Sequence, residues 1–168
     1  MTNRRLARGI SISTLRFNDL RHPDVVWASA FGLGFLKPAP GTWGSAGGLA
    51  VWWFWLSVLP PWQQGLIIVV YFLAGWWCSE RVGSRHQIKD ASAIVADEVA
   101  GMWLALMLMP RLWWVALCAF LLFRLLDIAK PGPIGWLDRT VGGGLGVMAD
   151  DLLAGLITGG VLWAGLSL

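Results

Sequence analysis

Charge is scarce in this chain. Of its 168 residues only 14% are Asp, Glu, Lys or Arg, while 57% are hydrophobic. Soluble domains carry roughly 25% charged residues, so the composition is that of a membrane protein. Cysteine and histidine are scarce too. Cys78 and Cys118 sit inside apolar segments in no metal-binding spacing, and are expected to be reduced, packed side chains. His22 and His86 have no partner pattern. Without a Cys/His ligand set the sequence argues against zinc. It also offers no Ser-His-Asp or Cys-His nucleophile. The basic residues are too scattered for a nucleic-acid patch, so nucleic acid is not an expected partner. There is no internal repeat and no low-complexity tract. Arg4, Arg5 and Arg8 lead into no uninterrupted apolar run, so the start does not read as a cleaved signal peptide.

What is present is a string of apolar segments punctuated by Pro and Gly. Residues 1–23 read as a polar, basic segment, and 24–168 as one membrane-embedded unit. Residues 24–36 read as a surface segment rather than a span. Lys37 to Ser45 reads as a loop by its Pro and Gly content. Spans are expected at about 46–59, 65–78, 94–109, 112–128 and 151–168, with turns at Pro60-Pro61 and Pro110-Arg111. The expected fold is therefore all-α, a compact bundle of four to five short transmembrane helices. A 16-residue helix is only about 24 Å long against a ~30 Å hydrocarbon core. The thirteen Trp residues suit a surface rich in lipid interface. The pairs Trp52-Trp53, Trp76-Trp77 and Trp113-Trp114 read as interfacial anchors and packing.

Counting spans divides the charges unevenly. Twelve of thirteen Lys and Arg, and all ten acids, fall on one face; Arg111 alone falls on the other. The positive-inside rule makes the crowded face cytoplasmic. Six of the acids lie at segment ends: Asp97, Glu98, Asp127, Asp138, Asp150 and Asp151. Charge is costly at that depth, so the repetition points to a site. Asp97, Gly101 and Ala105 share one helix face, as do Asp151, Gly155 and Gly159. Small residues spaced by four mark helix contacts in membranes, so Asp97 and Asp151 are expected to turn into the bundle at its rim. Asp127 comes to the same rim. Converging carboxylates repel, and a hard divalent cation such as Mg²⁺ relieves that. Helix N-termini at Asp97 and Asp151 would favour anions.

Arg124, Lys130 and Arg139 lie close by in sequence and suit phosphate oxygens. Gly142-Gly143-Gly144 and the hydroxyls of Thr42 and Ser45 are weaker signals, since such residues also form turns and caps. Asp138 also suits an ion pair with Arg139. Asp19, Asp24, Glu80 and Asp90 read as solvated.

Three blocks carry a resemblance. They are Pro40-Gly41-Thr42-Trp43-Gly44-Ser45, Ile94 to Trp103 around Asp97-Glu98, and Phe123 to Asp151 around Arg124, Asp127, Lys130, Asp138 and Arg139. Over about residues 28–165 the chain resembles the phosphatidylglycerophosphatase A family of bacterial inner-membrane lipid phosphatases. It departs at Ala96 and Gly132, where the family pattern has Trp. The resemblance implies Mg²⁺-dependent hydrolysis of phosphatidylglycerophosphate to phosphatidylglycerol and phosphate. The expected enzyme is multi-pass, with its active site facing the cytoplasm and a bilayer phospholipid as partner. Asp97, Asp127 and Asp151 are the expected metal core, with Glu98 or Asp150 completing it. Arg124, Lys130, Arg139, Thr42 and Ser45 are the expected phosphate binders. Glu98 is the first choice of general base, with Asp97 and Asp150 beside it. A carboxylate nucleophile is the alternative. An ion or proton pathway is the competing class, but no acid lies mid-span to continue a relay. A small structural membrane protein is the third reading.

Overall fold

The computed structural model describes residues 15–86 and 91–167. Arg4, Arg5, Arg8 and Asp90 lie outside these. Seven α-helices and three short 3-10 turns make up the described chain, and it contains no strand. The helices are α1 (Pro23–Ala28), α2 (Pro40–Phe54), α3 (Pro61–His86), α4 (Ala96–Leu106), α5 (Trp113–Ala129), α6 (Pro133–Thr140) and α7 (Gly143–Leu166). Pro23, Pro40, Pro61 and Pro133 each open one of them, where a missing N–H costs nothing and the fixed φ suits the first turn.

Proline therefore starts elements here that composition assigns to loops. The Pro40 to Ser45 stretch, read above as a loop, is the first turn and a half of α2. Likewise α3 runs on to His86, and α7 begins at Gly143, eight residues ahead of the expected start. Two helices are long and apolar enough to cross a membrane, α3 with 26 residues and α7 with 24. The others are shorter: 15 residues in α2, 11 in α4 and 17 in α5.

α4 is the central helix. Nine of its eleven residues are buried, and its contact with α7 is the most extensive in the molecule. That contact uses the two predicted small-residue faces. A Cβ on Gly101 would stand 2.6 Å from the Asp151 carbonyl oxygen, and one on Gly155 would collide with the Gly101 carbonyl. Gly159 continues the seam against Ala105. Side chains are absent where the backbones cross, so dispersion contact between main chains replaces side-chain packing. The core around α4 is closed by Trp52, Met102, Leu106, Phe123 and Met148, all essentially inaccessible. Trp52 and Trp103 are core residues whose indole N–H groups are satisfied, by Gln64 Oε1 at 3.2 Å and the Gly48 carbonyl at 2.8 Å. Trp113 and Trp77 instead face outward.

Outside this core the surface is apolar, with Phe54, Trp55, Trp62, Leu66, Leu121 and Val161 each more than half exposed. Asp24, expected to be solvated, is buried and pairs with Arg85 at 2.8 Å, tying α1 to α3.

Candidate active site

The rim of the bundle where α2, α4 and α7 begin and α5 ends encloses a cavity of about 460 Å³. Asp97, Glu98, Arg124, Asp127, Lys130 and Asp150 face it, with Asp138 and Asp151 beside them. All six acids singled out by sequence thus meet in one place, from four different helices.

Three of them are crowded together. One carboxylate oxygen from each of Asp97, Glu98 and Asp151 lies within 4.8 Å of the others. Asp97 and Glu98 stand in the first turn of α4, where the helix dipole favours negative charge. The Glu98 amide donates to Asp97 Oδ1 at 2.9 Å, which fixes that carboxylate. Asp151 reaches the pair across the Gly101–Gly155 seam, so the close helix approach is what sets the ligand spacing. Asp151 is not at a helix N-terminus, as the sequence suggested; it is the ninth residue of α7. Glu98 Oε2 is buried with no hydrogen-bond partner among the described residues. An all-oxygen donor set, mutually repelling and with one buried oxygen unsatisfied, fits a hard divalent cation.

Arg124 closes one side. Its guanidinium pairs with Asp127, lies 3.8 Å from Glu98 and donates to the Ser45 hydroxyl at 3.4 Å. Gly41 makes room for this: a Cβ there would collide with Glu98 Oε1 and stand 3.0 Å from Arg124 Nη1. Gly41 is a site residue that sequence reasoning read only as part of a loop. Asp127, assigned to the metal core, is placed on the cavity wall as the ion-pair partner of Arg124.

Lys130 closes the other side. It ends α5 in the left-handed conformation at φ 43°, a costly choice for a residue with a side chain. That turn aims its ammonium back at the cavity, where it bonds Asp150 at 2.6 Å and Asp138 at 2.7 Å. Partial burial by itself would lower the lysine's pKa. The two carboxylate partners outweigh that and hold it above its ordinary value. Asp138 therefore pairs with Lys130, not with Arg139.

Three assignments fall outside the cavity, those of Arg139, Thr42 and Ser45. Arg139 is exposed, its guanidinium packed beside Gly135. Thr42 does not line the cavity, and the Ser45 hydroxyl donates to the Gly41 carbonyl of its own helix at 2.8 Å. Of the Gly142-Gly143-Gly144 stretch that opens α7, Gly143 lines the cavity, while the Gly144 amide donates to Glu80 Oε2 at 2.6 Å. Glu80, expected to be merely solvated, thus occupies an N–H that phosphate would need. Ser92 also lines the wall, and nothing in the sequence singles it out.

Residues 26–166 match the family described as phosphatidylglycerophosphatase A. The chain is similar to phosphatidylglycerophosphatase A of Escherichia coli strain K12, 37% identical over 146 residues, covering 86% of this chain and 84% of that protein. It is similar also to phosphatidylglycerophosphatase A of Haemophilus influenzae, 37% identical over 138 residues, covering 82% and 85%. No solved structure matches it.

Proposed function

Because this chain belongs to the phosphatidylglycerophosphatase A family and is a phosphatase of that kind, we propose that the rim cavity is its active site. The reaction proposed is Mg²⁺-dependent hydrolysis of phosphatidylglycerophosphate to phosphatidylglycerol and phosphate at the cytoplasmic membrane surface. The observation that carries this reading is the Asp97–Glu98–Asp151 cluster beside Arg124.

Asp97, Glu98 and Asp151 would hold the cation, with Asp127 and Asp150 on the cavity wall within reach of its water shell. A bound Mg²⁺ supplies neutralisation of phosphate oxygens and a more acidic water. The chain's own residues do the rest. Arg124 offers planar N–H donors to the phosphoryl oxygens, and Lys130 offers a point charge. Both support negative charge as it builds in the transition state. Lys130 is held protonated by Asp138 and Asp150, so it acts as a fixed charge rather than a proton donor. The free oxygen of Glu98 would take a proton from the attacking water. The water oxygen bonds to phosphorus, the bond from phosphorus to the glycerol oxygen breaks, and that oxygen takes up the proton that Glu98 removed from the water. The carboxylate-nucleophile route differs in forming an acyl phosphate, which rapid-quench trapping would detect.

The proposed orientation rests on the charge partition counted along the sequence, twelve of thirteen basic residues to one side of the expected spans. The proposed topology is a bundle of four to five short spans in the bacterial inner membrane, with α2, α4 and α5 joining α3 and α7. The apolar exterior of the shorter helices supports it. Purified protein in mixed micelles with phosphatidylglycerophosphate is expected to release phosphate with Mg²⁺ and not after chelation. No release in either condition would end the enzymatic reading of this cavity; ion flux in liposomes would favour the pathway instead.

A further inference from the structure

A second concavity lies apart from the acid cavity and shares no lining residue with it. It is a trough of about 480 Å³ between α1 and α3. Ala74, Trp77, Arg81 and Arg85 line it from one face of α3, at i, i+3, i+7 and i+11. Asp24 and Trp27 line it from α1. From Ala74 to Arg85 the α3 wall rises about 16 Å. Its two ends differ in kind. Ala74 and the indole rings form an apolar foot, and the two guanidinium groups form the head. The head stands level with the rim of the bundle, since Glu80, next to Arg81, bonds the first turn of α7 at Gly144. α3 is one of the two helices able to cross a bilayer, and Trp77 is more than half exposed. The trough therefore opens on the apolar exterior, with its foot toward the hydrocarbon and its head toward water.

The charges at the head do not cancel. Arg85 is matched by Asp24, with contacts of 3.1 and 2.8 Å. Arg81 is exposed and has no carboxylate partner among the described residues. Its neighbour Glu80 is turned to α7 instead. The Arg81 guanidinium lies over the Trp77 ring, 4.6 Å from its centre. Cation–π attraction holds the group in place there and leaves its fork of N–H donors without a carboxylate. The lining thus carries one positive charge in excess, at interface depth, above an apolar wall. That pattern is complementary to an amphiphile with one negative charge at its head.

We propose that this trough binds one anionic glycerophospholipid, its phosphodiester on Arg81 and an acyl chain against Trp77 and Ala74. Basic pockets between membrane helices take lipid head groups in this way. The apolar foot below the charge selects a bilayer lipid over a soluble phosphate. Net charge selects the class, because a zwitterionic lipid brings a cation of its own to Arg81 and gains less. Bound there, the lipid would bridge α1 and α3 beside the Asp24–Arg85 pair. Only residence in a bilayer is needed for this, not phosphatase activity.

The test is native mass spectrometry of the purified full chain, released from detergent micelles doped with equal amounts of phosphatidylglycerol and phosphatidylcholine. The wild type is expected to retain one phosphatidylglycerol about fivefold in preference to phosphatidylcholine, the effect of roughly one charge at a membrane surface. Arg81→Ala, a change at an exposed side chain, is expected to abolish the preference. Arg139→Ala removes another exposed arginine at the same end of the bundle, outside the trough, and is expected to keep it. Inorganic phosphate at the lipid's own concentration is expected to leave the retained lipid in place. Equal retention of the two lipids by the wild type would overturn the proposal. A preference that survives Arg81→Ala would put the lipid elsewhere, the acid cavity included, and overturn it as well. Equal loss in Arg139→Ala would assign the effect to general surface charge, and displacement by phosphate would remove the lipid assignment.

Discussion

Two sets of carboxylates share one cavity and are neutralised differently. Asp138 and Asp150 share a single lysine, Lys130, at 2.7 and 2.6 Å. Asp97, Glu98 and Asp151 crowd one another, and the nearest cation to them is Arg124, 3.8 Å from Glu98 and already paired with Asp127. The first set is offset in part by the chain itself, one positive charge against two. The second is left with surplus negative charge in a low-dielectric setting, where an unbalanced charge is costly. On the proposed reading, the first set builds the wall and the second, which the chain offsets less, is where a cation would sit.

Breaking the unbalanced set should have the largest effect. Asp151→Asn is expected to lower kcat by about 10³-fold or more, the several kcal/mol a catalytic cation contributes. Steady-state phosphate release measures this, and activity within a factor of two would remove Asp151 from the metal site. Next comes Arg124→Ala, expected to cost about 10²- to 10³-fold in kcat, the usual loss for one transition-state donor. The seam that sets the ligand spacing is tested by Gly155→Leu. Overpacking typically costs about 1–3 kcal/mol, so thermal unfolding in detergent should fall by several degrees and activity with it.

The lysine-paired set is sharpened by pH. The two carboxylates beside Lys130 hold its folded pKa above the ordinary lysine value. Its pairing therefore stabilises fully below that value and is lost as pH rises through the raised folded pKa. Between pH 7 and 9 the stability of wild type and Lys130→Met should differ by a constant amount, narrowing only above about pH 10.5. A difference that vanishes by pH 9 would contradict the pairing. The smallest effect is expected from Arg139→Ala, under about twofold in kcat/KM, since an exposed side chain off the cavity contributes little.

Much of the site was legible because membranes penalise charge so strongly that each acid had to be explained. The two small-residue faces were legible for the same kind of reason. Backbone contact needs Gly or Ala at every fourth position, and Gly101, Ala105, Gly155 and Gly159 meet as that rule requires. The helix limits were less legible. Pro40 and Gly143 look like loop residues by composition, yet each opens a helix, and only the packing around them decides which. Pairing was legible least of all. That Lys130 turns back to Asp150 depends on one left-handed residue after α5, and that Gly144 is taken by Glu80 depends on a contact across 64 positions. Neither leaves a mark in local sequence.

The central claim is that Asp97, Glu98 and Asp151 are held together for a cation. The most direct measurement is thermal unfolding of the detergent-solubilised protein across a Mg²⁺ titration, with Asp97→Asn alongside. At about 100-fold over Kd the wild type should gain roughly 2.7 kcal/mol, a rise of about 5–10 °C for a domain of this size. The Asn variant should unfold at a higher temperature than wild type without Mg²⁺, because one of the crowded charges is gone, and should gain little on addition. A wild type that is indifferent to Mg²⁺, or a variant that responds equally, would contradict the account.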